Sequence, residues 1–274
     1  MDWSLVLASQ GIEHVLDHAE ETGWALLVAE PEHTAALAAI RQYRLENRRW
    51  PWQKAIAQTG EVFDWFAAAW VLLTFVFYWL STQRTVIEAA GIVDGAAVSA
   101  GQWWRLFTAT LLHADLAHLA ANVVFGFLLL GLALGRHGTG VGLLAAFLAG
   151  VFGNVASWLV HGPSFHGLGA SGVVMGALGL IAMPSLNEFP KGLQPRRILL
   201  GGLAAGAMLF VLLGVAPGTD VVAHFGGFVA GVQMGLLFSS SRRVISGWFV
   251  NFIAGLVFAL VVLGTWWLAL RHAG

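Results

Sequence analysis

The sequence has no cysteine and very little charge, and both absences narrow its chemistry. Of 274 residues none is cysteine and 11% are charged, with a formal net charge of -1. Without cysteine there is no disulfide, thiolate metal site or cysteine nucleophile, so a covalent nucleophile must be a hydroxyl, an amine or a carboxylate. The balanced charge gives no reason to expect nucleic acid as a partner.

Hydrophobic residues are what the chain has in excess. They make up 58% of the sequence, which also contains 34 Gly and 13 Trp, and the mean hydropathy is +0.74. Water-soluble domains of this size are less apolar, whereas tryptophan at the lipid interface and glycine between helices are typical of membrane proteins. The composition predicts a polytopic all-α protein with the lipid bilayer as its surroundings.

The hydropathy pattern predicts seven membrane spans after a small soluble domain. Residues 1–55 mix charge with short apolar runs, and we expect a small α/β domain there. Later apolar stretches have the length that a bilayer core of about 30 Å requires. The predicted spans are 62–82, 116–135, 139–160, 171–187, 197–215, 221–240 and 248–270, with a partly lipid-embedded loop at 83–115.

The distribution of Lys and Arg predicts the orientation of these spans. With the N-terminus in the cytoplasm, 11 of the 14 basic residues fall on the inner side, and only Arg84, Arg105 and Arg271 lie outside. We therefore expect an integral membrane protein with a cytoplasmic N-terminus and an external C-terminus. Since no organelle-targeting segment is evident, the bacterial inner membrane is the expected location.

Three polar side chains stand at the start of the second span, in HADLAHLAANVVFG. His118 and Asn122 are four residues apart and share one helix face, and His113 lies just before the span. Ionisable side chains in a span usually mark a functional site or line a wet cavity. The alternative is that these side chains only hydrogen-bond neighbouring helices.

The fourth and sixth spans contribute a serine and a histidine. Ser171 follows a glycine-rich loop where the fourth span begins, either as a simple N-cap or with its hydroxyl facing a cavity. His224 shares a helix face with Gly227 and Gly231, and the fourth span has glycines at a similar spacing. Two glycine faces allow close packing, which would bring Ser171 and His224 within hydrogen-bond reach.

This set of residues permits nucleophilic catalysis by a Ser–His dyad. A neutral imidazole at His224 can remove the hydroxyl proton of Ser171 near pH 7. Asn122, His118 and the backbone N–H of Ser171 can stabilise the resulting oxyanion. No Asp or Glu lies in the middle of a span, so no orienting carboxylate is expected, and Asp115 and Asp220 are interpreted as solvated loop charges.

The motifs together resemble the rhomboid intramembrane serine proteases. Four of them carry the resemblance: H-x4-H-x3-N from His113 to Asn122, G-A-S-G from Gly169 to Gly172, A-H-x2-G-x3-G from Ala223 to Gly231, and the pair Trp104–Arg105 in the first loop. The resemblance implies a six-helix core, a short fourth helix that carries the serine, and a cavity open to the outer side. It also implies that Ser171 is the nucleophile, His224 the base, and Asn122 and His118 the oxyanion stabilisers.

The resemblance sets further expectations for domains and substrates. The resemblance covers about residues 60–240 and implies a protease core at 56–240. The composition sets apart an N-terminal domain at 1–55, and the seventh span adds a helix within 241–274. Transmembrane helices of other proteins would be the substrates, cut near small, helix-destabilising residues, and no cofactor or metal is expected. Met175 stands where many relatives have an aromatic residue that stacks on the catalytic base. A thioether can also pack on an imidazole, so we expect the properties of the base to be altered and its function to be kept.

Two alternatives stay open at the level of sequence. Inactive relatives of the family bind membrane clients without cutting them, although such proteins have lost the serine or the histidine. A transporter or metal site could instead use His113, His118 and His224, because three imidazoles can ligate zinc. The substrate, the role of residues 1–55 and the oligomeric state are not indicated by the sequence.

Overall fold

The computed structural model describes residues 2–19, 23–46, 63–183, 195–215, 219–245 and 247–273. The chain divides into two compact units, Met1–Gln58 and Thr59–Gly274. The predicted boundary after residue 55 lies outside the described residues. It stays a prediction.

The first unit is a small α/β domain, as the sequence predicts. Its elements are α1 (Asp2–Ser9), β1 (His14–Ala19), β2 (Gly23–Val28) and α2 (His33–Glu46). The strands form an antiparallel hairpin in which His14 lies opposite Val28. Leu7, Ile12 and Ala36 form its small buried core.

The second unit is almost entirely helical. In chain order its elements are α3 (Ala67–Gln83), α4 (Thr85–Gly91), β3 (Val93–Asp94), α5 (Gly95–Ser99), α6 (Arg105–Thr108), α7 (Leu116–His137), α8 (Thr139–His161), β4 (His166–Gly167), α9 (Ser171–Ala182), α10 (Pro195–Gly214), α11 (Val221–Ile245) and α12 (Trp248–Arg271). Strands β3 and β4 form a two-residue antiparallel pair that ties the first loop to the segment before α9.

Seven of these helices overlap the seven predicted spans, so the predicted polytopic fold of six core helices plus one is confirmed. Helix α3 begins at Ala67, later than the predicted start at 62, which lies outside the described residues. Among the described residues, four helices are long and apolar enough to cross a membrane by length and composition: α7, α8, α11 and α12. Helices α3, α9 and α10 are apolar but have shorter apolar segments. Helix α11 continues to Ile245, past the predicted end at 240, and predicted span residues 184–187 lie outside the described residues.

Local sequence signals explain where the helices near the site begin. Asp115 caps α7 by accepting a hydrogen bond from the His118 N–H, 2.7 Å from Oδ1, as expected for aspartate at this position. Gly138 has a φ of 91° and separates α7 from α8 in a conformation that favours glycine. The three helices α7, α9 and α11 all begin at one end of the bundle, which we call the site end.

Helix α9 lies at the centre of the bundle and is enclosed by its neighbours. Ten of its twelve residues are buried, and it packs against α7, α8, α10 and α11. At 1.5 Å per residue it is about 18 Å long, which is shorter than a bilayer core of about 30 Å. A helix that is apolar on every side is buried in protein, so α9 is held inside the other helices.

Helix α12 packs along α8 and reaches the first loop. A side chain at Gly140 would collide with the backbone of Asn251, so the two helices touch there. The Asn251 Oδ1 also accepts a hydrogen bond from Val141 N–H at 3.1 Å. Near the other end of α12, the Trp266 ring covers Gly91 of α4.

Candidate active site

Ser171 is presented at the first position of the buried helix α9. It is partly exposed, whereas residues 172–180 are all buried. The N-cap of α9 is Ala170, and no side chain caps the helix. The Ser171 hydroxyl is therefore not used as an N-cap, and the simple N-cap interpretation does not describe it.

The backbone at this helix start has unused donors. In the part of the chain that the structure describes, the N–H groups of Ser171 and Gly172 donate no hydrogen bond, while Val173 and Val174 N–H both bond to the Ala170 carbonyl. Free N–H groups at a helix start carry partial positive charge and bind anions. The Ser171 hydroxyl thus lies beside two donors that suit an oxyanion.

Gly169 brings His118 next to the serine. Its φ is 137°, and its N–H donates to the Ala109 carbonyl at 2.9 Å, which holds the loop in place. A methyl group on Gly169 would lie 2.9 Å from His118 Nε2 and 3.7 Å from Ser171 Oγ. His118 and Ser171 therefore face the same small space, and only glycine leaves that space open.

Glycine contacts bring the helix of His224 against the helix of Ser171, as the sequence predicts. A methyl group on Gly227 would lie 2.5 Å from the Gly172 carbonyl oxygen, and one on Gly231 would be closer still to the Gly176 carbonyl. The backbones of α9 and α11 are therefore in contact, because glycines on the facing sides of two helices leave room for such a close approach.

This register places the histidine and the serine at the same level of the bundle. His224 lies about one helical turn before Gly227, and Ser171 directly precedes Gly172. His118 and His224 are also close enough to interact electrostatically. Within the described residues no hydrogen bond joins Ser171 Oγ to His224, although catalytic hydrogen bonds are often long without substrate.

A backbone carbonyl orients the His224 ring. Nδ1 lies 2.6 Å from the carbonyl oxygen of Gly214, the last residue of α10, and the ring is buried. Since a carbonyl only accepts hydrogen bonds, Nδ1 carries the hydrogen and the lone pair is on Nε2. Sequence reasoning missed this partner, because a main-chain oxygen has no residue type that could reveal it.

Asn122 is buried in the second turn of α7. Its amide Nδ2 donates one hydrogen bond to the His118 carbonyl at 2.9 Å. An amide group has two hydrogens to donate, so this bond holds the side chain in place and uses one of them. The second hydrogen is the one that could reach an oxyanion.

His113 lies next to His118, with ring centroids 5.3 Å apart, and its ring is buried. Within the described residues neither of its ring nitrogens makes a hydrogen bond of ordinary geometry. Burial, helped by the nearby His118, lowers the pKa of His113 to about 4. His113 is therefore neutral at physiological pH.

Trp104 and Arg105 stabilise the first loop. The Arg105 guanidinium donates to Gln102 Oε1 at 2.7 Å and to the carbonyls of Ala89 and Ile92 at 2.9 Å. Trp104 is buried and its ring lies 4.6 Å from that of His272 beyond the end of α12. Both residues fix the loop between α4 and α6.

A further contact network at the site end was not predicted from the sequence. Asp220 is a partly exposed loop residue, as the sequence indicates. It also accepts hydrogen bonds from Ser157 of α8 and from the Ala223 N–H in the first turn of α11, which the sequence did not indicate. For metal binding, the described residues contain no group of three His, Cys, Asp or Glu arranged to hold an ion.

The fold and this site together define a class of protein. It is an integral membrane protein whose short central helix presents a serine close to His118 of α7 and packs against the helix that carries His224. Residues 100–241, more than half of the chain, match the family described as the Rhomboid domain. The chain belongs to the rhomboid family.

Curated relatives agree with this assignment. The chain is similar to the Rhomboid protease GluP of Bacillus subtilis, with 29% identity over 189 residues, covering 65% of this chain and 35% of that protein. It is also similar to Rhomboid-like protease 3 of Toxoplasma gondii, with 29% identity over 204 residues, covering 72% and 74% of the two chains. The RHOMBOID-like protein 6, mitochondrial, of Arabidopsis thaliana is 29% identical over 171 residues, or 62% and 54%. The matched region thus covers about a third of the Bacillus subtilis protein and about half of the Arabidopsis thaliana protein.

Proposed function

We propose that this chain is an intramembrane serine endopeptidase that hydrolyses peptide bonds in or near the transmembrane helices of other proteins. The observation that carries the proposal is the position of Ser171. The residue is partly exposed at the start of an enclosed helix, beside two N–H groups that donate no hydrogen bond within the described residues, and level with a histidine whose neutral ring has its lone pair on Nε2. Membership in a family that includes proteins named as proteases supports the same reaction class.

In the acylation step, Ser171 Oγ attacks the carbonyl carbon of the scissile peptide while His224 Nε2 takes the hydroxyl proton. The negative oxygen of the tetrahedral intermediate is stabilised by the N–H groups of Ser171 and Gly172, with Asn122 and His118 as side-chain donors. His224 then gives its proton to the leaving amine as the C–N bond breaks. The product is an ester between the substrate and Ser171.

In the deacylation step, water replaces the amine. His224 Nε2 takes a proton from the water as the water oxygen attacks the ester carbonyl, and the same donors stabilise the second oxyanion. The proton then returns to Ser171 Oγ as the ester bond breaks. The Gly214 carbonyl keeps the imidazole in one tautomer through both steps, in the place that an orienting carboxylate takes in other serine hydrolases.

The surroundings of Ser171 indicate the kind of substrate. The serine lies close to His118 in the first turn of α7, so a substrate must reach a position among membrane helices. Peptide bonds within an intact helix are hydrogen-bonded and shielded by side chains. Transmembrane segments with small, helix-destabilising residues, which unwind most easily, are therefore the proposed substrates.

The remaining sequence predictions complete the proposal. The N-terminus is placed in the cytoplasm and the site end at the outer face of a bacterial inner membrane, with a cytoplasmic domain at 1–55, a protease core at 56–240 and an additional helix within 241–274. No cofactor takes part in the reaction. A catalytically silent client-binding protein and a histidine-based metal or transport protein are the competing functions that the experiment must separate.

The experiment is labelling of the purified protein in lipid with a fluorophosphonate, combined with cleavage of a reporter transmembrane substrate. The wild type is expected to be labelled and to cleave, Ser171→Ala to do neither, and His224→Ala to lose at least about a thousandfold in rate. Asn122→Ala is expected to lose about a hundredfold, as for removal of one oxyanion donor. Ser164→Ala, at an exposed serine before β4, serves as the matched control and should retain full labelling.

A wild type that is folded but neither labelled nor active would favour the client-binding function. Activity that survives Ser171→Ala and is lost with a chelator would favour the metal function instead. Either result contradicts the proposed protease.

A further inference from the structure

The first turn of α11, which carries His224, is fixed to α8 by one carboxylate. Asp220 Oδ1 accepts the Ala223 N–H at 2.9 Å, and the Asp220 carbonyl accepts the His224 N–H at 3.0 Å. Its second carboxylate oxygen, Oδ2, accepts the Ser157 hydroxyl at 2.5 Å. One residue therefore caps the helix of the base and links it to another helix.

The other partner of this link is rigidly placed. The Ser157 side chain is completely buried in α8. Helix α8 also packs directly on α9, where Gly150 lies against Val173, and on α11, where Gly153 lies against the backbone of Ala223. Ser157 thus lies on a helix that also packs against the helix of the nucleophile.

The position of the imidazole depends on this first turn. His224 is one helical turn after Asp220, and helix ends without a cap tend to fray. A carboxylate at a helix start is also favoured by the helix dipole. Small displacements of a catalytic group cost large factors in rate.

We propose that Asp220, through its hydrogen bond with Ser157, is a positioning residue that holds the helix start of His224 in register with Ser171. The inference rests on the proposed protease function and adds to it a residue that does not touch the substrate. Asp220 fixes the position of the His224 backbone at the start of α11, while the Gly214 carbonyl fixes the orientation of the His224 ring.

The chain contains a matched control for this interaction at the other end of α8. Asp64 Oδ1 accepts the Phe66 N–H at 2.9 Å, just before α3, and its Oδ2 accepts the Thr139 hydroxyl at 2.5 Å. The chemistry is the same, but this pair lies at the opposite end of α8 from the site. Asp64→Ala therefore measures what such a pair contributes to stability alone.

The test compares kcat, KM, the rate of fluorophosphonate labelling and Tm for variants of the full chain in lipid. Asp220→Ala is expected to lower kcat and the labelling rate about tenfold or more, with KM changed less than about twofold. Asp220→Asn, which keeps an acceptor for the cap and can pair with Ser157, should restore most of the rate. Asp64→Ala should lower Tm by a similar amount to Asp220→Ala and leave kcat within about twofold.

A double-mutant cycle isolates the role of Ser157. Ser157→Ala alone should lower kcat about threefold, and it should add nothing in the Asp220→Ala background if Ser157 acts through Asp220. If Asp220→Ala does not fold, Ser157→Ala still tests the proposal, because its loss of kcat must appear without a matching change in KM.

The inference is overturned if Asp220→Ala and Asp64→Ala behave alike in kcat, or if Asp220→Asn is as impaired as Asp220→Ala. A wild type that neither labels nor cleaves overturns the proposed function itself, and the positioning role falls with it. A wild type that is active while both aspartate variants keep full kcat overturns the positioning role alone.

Discussion

At the scale of single residues, the most unusual side chain near the site is His113. It is buried, and within the described part of the chain neither ring nitrogen makes a hydrogen bond of ordinary geometry, whereas buried polar groups normally have partners. The fold tolerates this side chain only in its neutral form, because a charged imidazole without partners would be costly to bury. The stability of the protein should therefore depend on pH through this residue.

Burial, with a smaller effect of His118, lowers the pKa of His113 from 6.5 to about 4. Between these values the unfolded chain binds a proton that the folded chain does not, so the free energy of unfolding should fall as the pH decreases from 6.5 to 4 and level off below. The full effect is about 3 kcal/mol. The measurement is the free energy of unfolding in mixed micelles across this pH range.

His113→Leu should flatten that dependence, because it removes the titrating group and keeps an apolar side chain of similar size. His161→Leu, which removes an exposed histidine, should keep the slope of the wild type. An unchanged slope in His113→Leu would contradict the assignment of the pH dependence to this residue.

At the scale of elements, the contact between α9 and α11 decides whether a site can exist. The two helices approach so closely that backbone carbonyls of α9 occupy the positions where side chains on α11 would begin. Small residues at such interfaces are the main way that membrane helices reach backbone contact. A single methyl group should therefore separate the serine from the histidine.

Gly231→Ala is expected to lower the free energy of unfolding by about 3 kcal/mol, because its methyl group would collide with the Gly176 carbonyl, which belongs to the backbone of a buried helix. Activity should fall as well, since the helices that carry Ser171 and His224 must part. Thermal unfolding and cleavage of a reporter substrate measure the two effects.

The control is Gly264→Ala on α12, where an added methyl group meets no atom within 4 Å. There the substitution should leave stability unchanged or raise it by up to about 1 kcal/mol, as expected for alanine in a helix. Equal effects of the two substitutions would show that the α9–α11 contact does not limit stability.

At the scale of the whole molecule, the orientation in the membrane is the property that links the site to its substrates. The excess of basic residues on one side predicts that the N-terminal unit is cytoplasmic and that the site end is external. The absence of cysteine makes this directly testable, because each introduced cysteine is the only thiol in the protein.

Ser9→Cys in α1 and Ser164→Cys at the site end are both at exposed positions. A membrane-impermeant maleimide added to intact cells should modify the cysteine at 164 and leave that at position 9 unmodified until the membrane is broken. The opposite pattern would reverse the orientation, and the proposed substrates would then be approached from the cytoplasm.

The sequence by itself determined the membrane class, the seven helices and the motif residues, because hydropathy over about 20 residues and motif spacing are local properties. It also indicated that glycines would bring α9 against α11. Only the tertiary structure decided that Ala170, and not Ser171, occupies the N-cap position of α9, that the Gly214 carbonyl orients His224, and that Asp220 accepts a hydrogen bond from Ser157. These contacts join residues of different helices or use main-chain atoms, and no pattern along the chain encodes them until the helices are packed.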